Sequence, residues 1–290
     1  MKPIPVVFHL GPLQIHTYGI GLALTFWFGY QYFVRRCASK GEPTEWVAGA
    51  FLWIVVAAIV GARVVSVVAN LGYYAHNPGD ILAVWHGGLS SFGGLAFAIP
   101  TGLFLAHRRC PELGVARSLD LVAPVLMAAW GVGRLLGPQL MIDGGGHPTH
   151  AWYGMAYAGQ VGERIPVPLF QSAESFGVCL VLLALERRVR NAPPGFLFAG
   201  LAALWGVTRF FDEYFWLAVP RLWDAVEAFS LLLSAVGLAV MAIMWSRHRH
   251  RRLGAPALEN AGGPAEPALA QMSTGQSQPP VDGDGVPAPA

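Results

Sequence analysis

Residues 46–70 read WVAGAFLWIVVAAIVGARVVSVVAN, an apolar run of 25 positions in which Arg63 is the only charged residue. A helix of about 20 such residues crosses the hydrocarbon core of a lipid bilayer. Apolar runs of about 18–25 residues recur along the rest of the chain. The sequence therefore predicts an all-α polytopic membrane protein.

The composition supports this interpretation. Of the 290 residues, 54% are hydrophobic and only 12% are charged, whereas a soluble globular chain carries about 25% charged residues. This deficit excludes an ordinary cytosolic enzyme and argues against disorder over most of the chain. A net charge of +2 is too small to indicate a nucleic-acid partner. Cys37, Cys110 and Cys179 show no C-x-x-C spacing and are predicted to be small apolar residues without disulfides.

Seven spans and their orientation follow from the positions of the apolar runs and of the basic residues. Thirteen of the 19 basic residues follow odd-numbered spans, which places those connections in the cytoplasm. The N-terminus is then outside and the C-terminus cytoplasmic. The predicted spans are 17–34, 46–70, 88–106, 118–136, 168–186, 196–212 and 226–246.

The connections divide the chain into a transmembrane domain, 1–250, and a tail, 251–290. The tail is rich in Pro, Ala, Gly, Ser and Gln and is predicted to be disordered. Residues 137–167 are rich in Gly and aromatic residues and are expected to form a small outer head or lid. A second outer segment, 72–94, is too polar and Gly-rich for a plain helix and is expected to dip back into the membrane beside protein or a wet cavity.

Three arginines lie inside spans, where an unpaired charge is costly. Arg63, Arg134 and Arg209 lie towards the outer ends of their spans, so all three could meet in one outward-facing pocket. Gly61 and Ala62 beside Arg63 favour helix packing and a structural role for that arginine. Two guanidinium groups in a low-dielectric cavity suit a phosphate. We therefore expect Arg134 and Arg209 to bind a phospholipid head group.

The acidic residues nearby have two open interpretations, catalytic partners or mere counter-ions. Glu213 follows Arg209 by four residues and can orient it from the same helix face. Glu174 follows Gln171 by three and shares its face. Asp212 is expected to point elsewhere on its helix, at the membrane interface.

Other polar features are weaker signals. The glycines of residues 87–94 (GGLSSFGG) permit exposed backbone amides beside an anionic head group, although Gly is common in membrane helices. Tyr18 is either an interfacial tyrosine or part of the pocket. His86, beside this segment, is the histidine best placed to act as a base. His147 and His150 are not expected to bind metal, and neither a metal nor another cofactor is predicted.

Several short motifs, in order and at similar spacing, make the chain resemble the prolipoprotein diacylglyceryl transferases over about residues 10–246. The resemblance includes the order of seven spans with the N-terminus outside. The motifs are Tyr18-Gly19, Trp85-x-Gly87-Gly88-x-Ser90 before Gly93-Gly94, Gly131-x-Gly133-Arg134, Gln171-x-x-Glu174 and Arg209-Phe210-x-x-Glu213.

The resemblance implies transfer of diacylglyceryl from phosphatidylglycerol to the lipobox cysteine of a preprolipoprotein, with release of glycerol phosphate. It implies a multi-pass protein of the bacterial inner membrane, with its active site facing outward and with lipid, phosphatidylglycerol and preprolipoprotein signal peptides as partners. We expect a monomer. Candidate catalytic residues are Arg209, Glu213 and His86; candidate substrate-binding residues are Arg134, Tyr18, Ser90, Gly93, Gly94, Gln171 and Glu174.

Departures from the family pattern keep alternatives open. Phe92 stands where the family usually has a histidine, residues 135–139 (LLGPQ) replace an Asn-containing run, and Trp205 replaces a tyrosine. His86 is a possible substitute for the missing base. One alternative is an impaired paralogue that binds phospholipid head groups without thiol transfer. The other is a different head-group enzyme or a permease.

Overall fold

The computed structural model describes residues 7–10, 13–82, 90–136, 144–157, 159–189, 191–217 and 225–254. These residues are mainly helical. The helices are α1 (Thr17–Ser39), α2 (Glu45–Ala69), α3 (Leu71–His76), α4 (Ser91–Arg109), α5 (Val115–Leu136), α6 (Val167–Arg188), α7 (Phe196–Phe211) and α8 (Ala225–Gly254). Two antiparallel hairpins pair β1 (Val7–Leu10) with β2 (Leu13–His16) and β3 (Met155–Ala156) with β4 (Glu163–Arg164).

The long helices coincide with the predicted spans, since each of the seven spans overlaps one of α1, α2 and α4–α8. Within the described residues, four helices are long and apolar enough to cross a membrane: α2, α5, α6 and residues Ala225–His250 of α8. A helical, polytopic membrane protein is confirmed. The number of membrane crossings and their direction stay predictions.

Helix α5 is central to the bundle, because it packs against α1, α4, α6 and α7. Small and medium-sized side chains of α5, α6 and α7 make up the largest buried cluster. By contrast, α2 and α8 leave large apolar side chains such as Leu52, Trp53 and Phe229 exposed, as lipid-facing helices do. The buried cluster comprises Ala123, Met127, Ala128, Val178, Cys179, Leu182 and Leu201.

One end of the bundle, called the Arg36 end, is closed by an ion pair between α1 and α6. Arg36 is 6% exposed and donates two hydrogen bonds to the Glu186 carboxylate, at 3.0 and 2.8 Å. A third bond, of 2.9 Å, runs from Arg36 Nε to the Leu121 carbonyl of α5. These bonds satisfy the guanidinium away from water, so three helices are tied together.

The cysteine prediction is confirmed: Cys37, Cys110 and Cys179 are buried free thiols. Cys37 and Cys110 belong to a small apolar cluster with Leu113 and Leu121 at the Arg36 end.

Helix α7 begins at the same end, where Asp120 of α5 caps it. The Asp120 carboxylate accepts hydrogen bonds from the backbone N–H groups of Gly195 (2.7 Å) and Phe198 (3.0 Å). A negative charge at a helix N-terminus satisfies unpaired amides and the helix dipole. This contact fixes the position of α7, whose other end carries Arg209.

Helix α8 packs against α7 through small residues. A Cβ atom at Gly206 would lie 2.5 Å from the Ser230 carbonyl oxygen, and one at Gly237 would lie 2.6 Å from the Ala203 nitrogen. Ser234 Oγ donates a hydrogen bond to the Ala203 carbonyl. Such small-residue contacts let helix backbones approach closely in a membrane.

Helices α2 and α4 also approach closely. A Cβ atom at Gly61 would lie 2.5 Å from the Gly93 carbonyl oxygen, and one at Gly94 would lie 3.5 Å from the Ala58 carbonyl oxygen. The Ser90 amide donates to the Ala62 carbonyl at 3.0 Å. Helix α4 begins at Ser91, so its first turn lies within residues 72–94, the segment expected not to be plain helix. Residues 83–89 of that segment lie outside the described part.

Residues 144–166, where the outer head is predicted, contain β3 and β4. Backbone bonds join Gly146 and His147 to Ile165, and Thr149 to Glu163. Gln160 bonds to both backbone groups of Gly145, at 2.8 and 3.1 Å.

At the C-terminal end of the described residues, α8 continues to Gly254, past the predicted start of the tail at residue 251. Residues 255–290 lie outside the described part.

Candidate functional site

Arg134 lies near the end of α5 that is opposite the Arg36 end, and two glycines let neighbouring helices approach it. A Cβ atom at Gly131 would lie 3.1 Å from the Phe176 ring of α6, and one at Gly133 would lie 3.3 Å from Thr25 of α1. The half-buried Arg134 guanidinium lies 4.9 Å from the centroid of the Trp130 ring. Arg134 is thus positioned between α1 and α6 and held over an aromatic face.

Helix α6 contributes Gln171 and Glu174, which meet the end of α7. Gln171 Nε2 donates a 3.0 Å hydrogen bond to Asp212 Oδ2. The Glu174 carboxyl is a direct neighbour of the Asp212 carboxyl. Ser172 Oγ donates to the Gly131 carbonyl at 2.9 Å, which ties this turn of α6 to α5. Gln171 and Glu174 therefore lie on one face of α6, as predicted, and both side chains meet Asp212.

Helix α7 contributes Arg209, and the predicted pair with Glu213 is present. Arg209 Nη2 donates to Glu213 Oε2 at 2.7 Å, with side chains 21% and 13% exposed. The helix widens into a π-helical turn over Asp212–Leu217 directly after Phe211. Such turns are frequent at functional sites because they re-aim side chains.

These residues form one cluster, called here the arginine–carboxyl cluster: Arg134, Gln171, Glu174, Arg209, Asp212 and Glu213. The charges acting on Arg134 are those of Asp212 and Arg209. Within the described residues, Arg134 has no hydrogen bond or ion pair, and the buried Arg209 Nη1 has no acceptor. Two guanidinium groups with open donors, away from bulk water, can hold a phosphate through charge-assisted hydrogen bonds.

Asp212 is the residue that sequence reasoning placed wrongly. It was expected to point away towards the interface, but it is 5% exposed and lies inside the cluster. The backbone is still α-helical at Asp212, with φ −55° and ψ −48° and its N–H bonded to the carbonyls of Thr208 and Arg209, so the expectation chose the wrong helix face. A signal was present, since Asp212 follows Arg209 by three residues and such pairs are neighbours on a helix surface.

Arg63 does not join Arg134 and Arg209 in the described contacts. It is 7% exposed and donates to the backbone carbonyls of Asp80 and Ile81, with its guanidinium 5.2 Å from the centre of the Tyr74 ring. These bonds attach the segment after α3 to α2, as the structural role considered for Arg63 requires, and that role stays a prediction. In that segment, a 2.7 Å hydrogen bond to Asp80 raises the pKa of Tyr73.

In the described part of the Gly-rich segment, the backbone amides of Gly93 and Gly94 differ from the expectation. The Gly93 amide donates to Ser90 Oγ at 3.3 Å, and the Gly94 amide donates to the Ser90 carbonyl at 3.0 Å. Both amides are therefore used to begin α4 and are not available to an anionic head group as expected, while contact of Gly93 and Gly94 with the substrate stays a prediction. Ser90 serves as the N-cap. His86 lies outside the described residues, and so does the side chain of Tyr18.

The segment 144–166 holds a second set of buried polar atoms. Tyr157 is buried beside Gly145, and burial raises the pKa of its hydroxyl to about 12. The Tyr157 hydroxyl, Arg164 Nε and His147 Nε2 have no hydrogen-bond partner among the described residues. A bridging water could satisfy such groups.

Comparison with known proteins identifies the family. Residues 5–247 match the family model described as prolipoprotein diacylglyceryl transferase, close to the 10–246 over which the motifs predict a resemblance. Two relatives are each named phosphatidylglycerol–prolipoprotein diacylglyceryl transferase. The Tolumonas auensis protein is 31% identical over 73% of this chain and 82% of its own length. The Geobacter sulfurreducens protein is 31% identical over 82% of this chain and 94% of its own. The motif order, the helical bundle and these matches agree, and the chain belongs to the prolipoprotein diacylglyceryl transferase family.

Proposed function

We propose that this chain transfers the diacylglyceryl group of phosphatidylglycerol to the lipobox cysteine thiol of a preprolipoprotein. The reaction forms a thioether and releases glycerol phosphate. The observation that carries the proposal is the convergence of Arg134 and Arg209, with unused donors, on one buried cluster in a member of this family.

The charges of the cluster suit this reaction. The phosphodiester of the donor lipid carries one negative charge, and the departing glycerol phosphate gains a second as the carbon–oxygen bond breaks. Fixed positive charge stabilises such a leaving group, most strongly where water is excluded. Arg134 binds the phosphate of the lipid, and Arg209 stabilises the charge that develops on it. Glu213 orients Arg209 through their 2.7 Å ion pair.

The other predicted site residues complete the proposal. Gln171 and Glu174 hold the α7 side of the cluster through Asp212. Tyr18 and Ser90 lie at the starts of α1 and α4, on the side where the lipid head group is bound. His86 remains a predicted base for the thiol.

The arrangement in the membrane is part of the same proposal. All seven long helices span the bacterial inner membrane, the N-terminus is outside and the C-terminus is cytoplasmic, and the cluster faces outward. The distribution of basic residues supports this orientation, because 13 of the 19 follow the first, third, fifth and seventh predicted spans. The protein acts as a monomer, and phosphatidylglycerol and preprolipoprotein signal peptides are its partners.

The test uses purified protein in detergent micelles with phosphatidylglycerol and a synthetic lipobox peptide. Mass spectrometry of the peptide is expected to show a gain of one diacylglyceryl group. Arg134→Gln should abolish this gain. The matched control is Arg117→Gln, which changes an exposed arginine at the opposite end of the same helix, paired with Glu42 at 2.6 Å, and should leave the gain intact. An unmodified peptide, with phosphatidylglycerol still bound through Arg134, would overturn the proposal and indicate an impaired paralogue.

A further inference from the structure

The Asp212 carboxylate has an environment that is unusual for a structural residue. It is 5% exposed, Gln171 donates to its Oδ2 at 3.0 Å, and its Oδ1 is buried without a hydrogen-bond partner among the described residues. A buried polar atom left without a partner is costly. The missing partner of such an atom can be a proton shared with a neighbouring carboxyl or, within a cluster that binds reactants, a substrate group.

Glu174 of α6 places a second carboxyl group beside that of Asp212. Glu174 Oε2 is likewise buried without a donor in the described residues. Two carboxylates in contact repel each other unless one proton is held between them. The donors and positive charges around the pair face Asp212: the Gln171 amide of α6, Arg134 of α5 and Arg209 of α7. These neighbours stabilise a negative charge on Asp212, which is the form that can accept a proton.

The charge balance of the reaction requires an acceptor for the thiol proton. Attack by the thiol forms a sulfur–carbon bond, breaks the bond between the glyceryl carbon and the phosphate oxygen, and sends that electron pair to the phosphate. The thiol proton must leave as the phosphate gains its second negative charge. A carboxylate beside the two phosphate-binding arginines loses its own charge when it takes the proton, so the net charge of the site does not change.

We propose that Asp212 is the base that accepts the proton of the lipobox thiol, with Glu174 as the neighbouring carboxyl that positions it. This inference rests on the proposed transferase function. It assigns the proton transfer to a residue of the π-helical turn and not to His86. Glu213, on the same turn, is already engaged by Arg209.

The test measures kcat and KM for Asp212→Asn with phosphatidylglycerol and the lipobox peptide between pH 6 and pH 9. A general base contributes about 10²- to 10⁴-fold, so kcat at pH 7 should fall by that factor while KM for phosphatidylglycerol stays within about twofold. The defect should shrink about tenfold per pH unit towards pH 8.5, because the free thiol then ionises without a base.

Two further variants separate this role from a structural one. Asp212→Glu keeps a carboxylate and should retain more activity than Asp212→Asn at equal folded fraction. Asp120→Asn alters a half-buried aspartate that caps α7; any loss it causes should be independent of pH.

The outcomes distinguish the inference from the function on which it rests. Wild-type kcat in Asp212→Asn, or a loss that does not change with pH, would overturn the role of Asp212 and leave the transferase function standing. A wild-type protein that never modifies the peptide would overturn both.

Discussion

The contact between α1 and the end of α5 makes a sharp prediction about Gly21. A Cβ atom at Gly21 would overlap the carbonyl oxygen of Leu136 and lie 2.7 Å from its carbonyl carbon, whereas ordinary contacts begin at 3.4 Å. Gly21→Ala must therefore separate the two backbones by more than 0.7 Å, since the oxygen overlaps more than the carbon does. Arg134 lies only two residues before Leu136, so its guanidinium should shift by a comparable distance.

The expected loss of activity follows from that shift. Misplacing a catalytic group by about 1 Å costs about 10²-fold in rate, and overpacking costs about 1–3 kcal/mol of stability. We expect Gly21→Ala to lower kcat/KM by about 10- to 100-fold, measured as thioether-linked peptide per folded molecule. The unfolding temperature should fall as well.

A matched control is available on the same pair of helices. A Cβ atom at Gly29 of α1 would lie 3.5 Å from the Ala129 side chain of α5, which is an ordinary contact. Gly29→Ala should therefore leave kcat/KM unchanged. Equal activity of the Gly21→Ala protein and the wild type would refute the reasoning that this contact positions Arg134.

Three other substitutions have distinct expected results. Glu213→Gln removes the charge that orients Arg209. Loss of a charge-assisted hydrogen bond of about 1.5–3 kcal/mol corresponds to a fall in kcat of about 10- to 100-fold, which steady-state kinetics would measure. An unchanged kcat would show that Arg209 needs no orientation by Glu213. Glu186→Gln weakens the ion pair with Arg36 and should lower the free energy of unfolding by about 1–3 kcal/mol. Turnover per folded molecule should not change, so a loss of turnover would argue against a purely structural pair. Ser90→Ala removes the N-cap of α4 and should cost about 1 kcal/mol of stability, measured by thermal unfolding; no change in stability would mean that water replaces the cap.

The helices were predictable from sequence because their cause is local. Long apolar runs such as 46–70 must satisfy every backbone hydrogen bond internally, which leaves helix as the solution. Structure and prediction therefore agree within a few residues for most spans. The Arg209–Glu213 pair was predictable for the same reason, since a separation of four residues places two side chains on one helix face.

Contacts between helices were harder to predict. Asp212 was misplaced because the burial of its helix face depends on α6, whose Gln171 and Glu174 meet it there. The amides of Gly93 and Gly94 were misjudged because the start of α4 depends on the cap formed by Ser90. The small neighbours of Arg63 indicate helix packing, yet its backbone acceptors beyond α3 could not be read from spacing alone.

The measurement that tests the central claim most directly is phosphorus NMR of the purified protein with phosphatidylglycerol and a lipobox peptide. The account predicts that the phosphodiester signal is converted to a glycerol phosphate monoester, one equivalent per thioether formed. The conversion should occur with a cysteine peptide, fail with the serine analogue, and fail with the Arg209→Gln protein. Absence of the monoester with the cysteine peptide, or its release at the same rate without any thiol, would contradict the account.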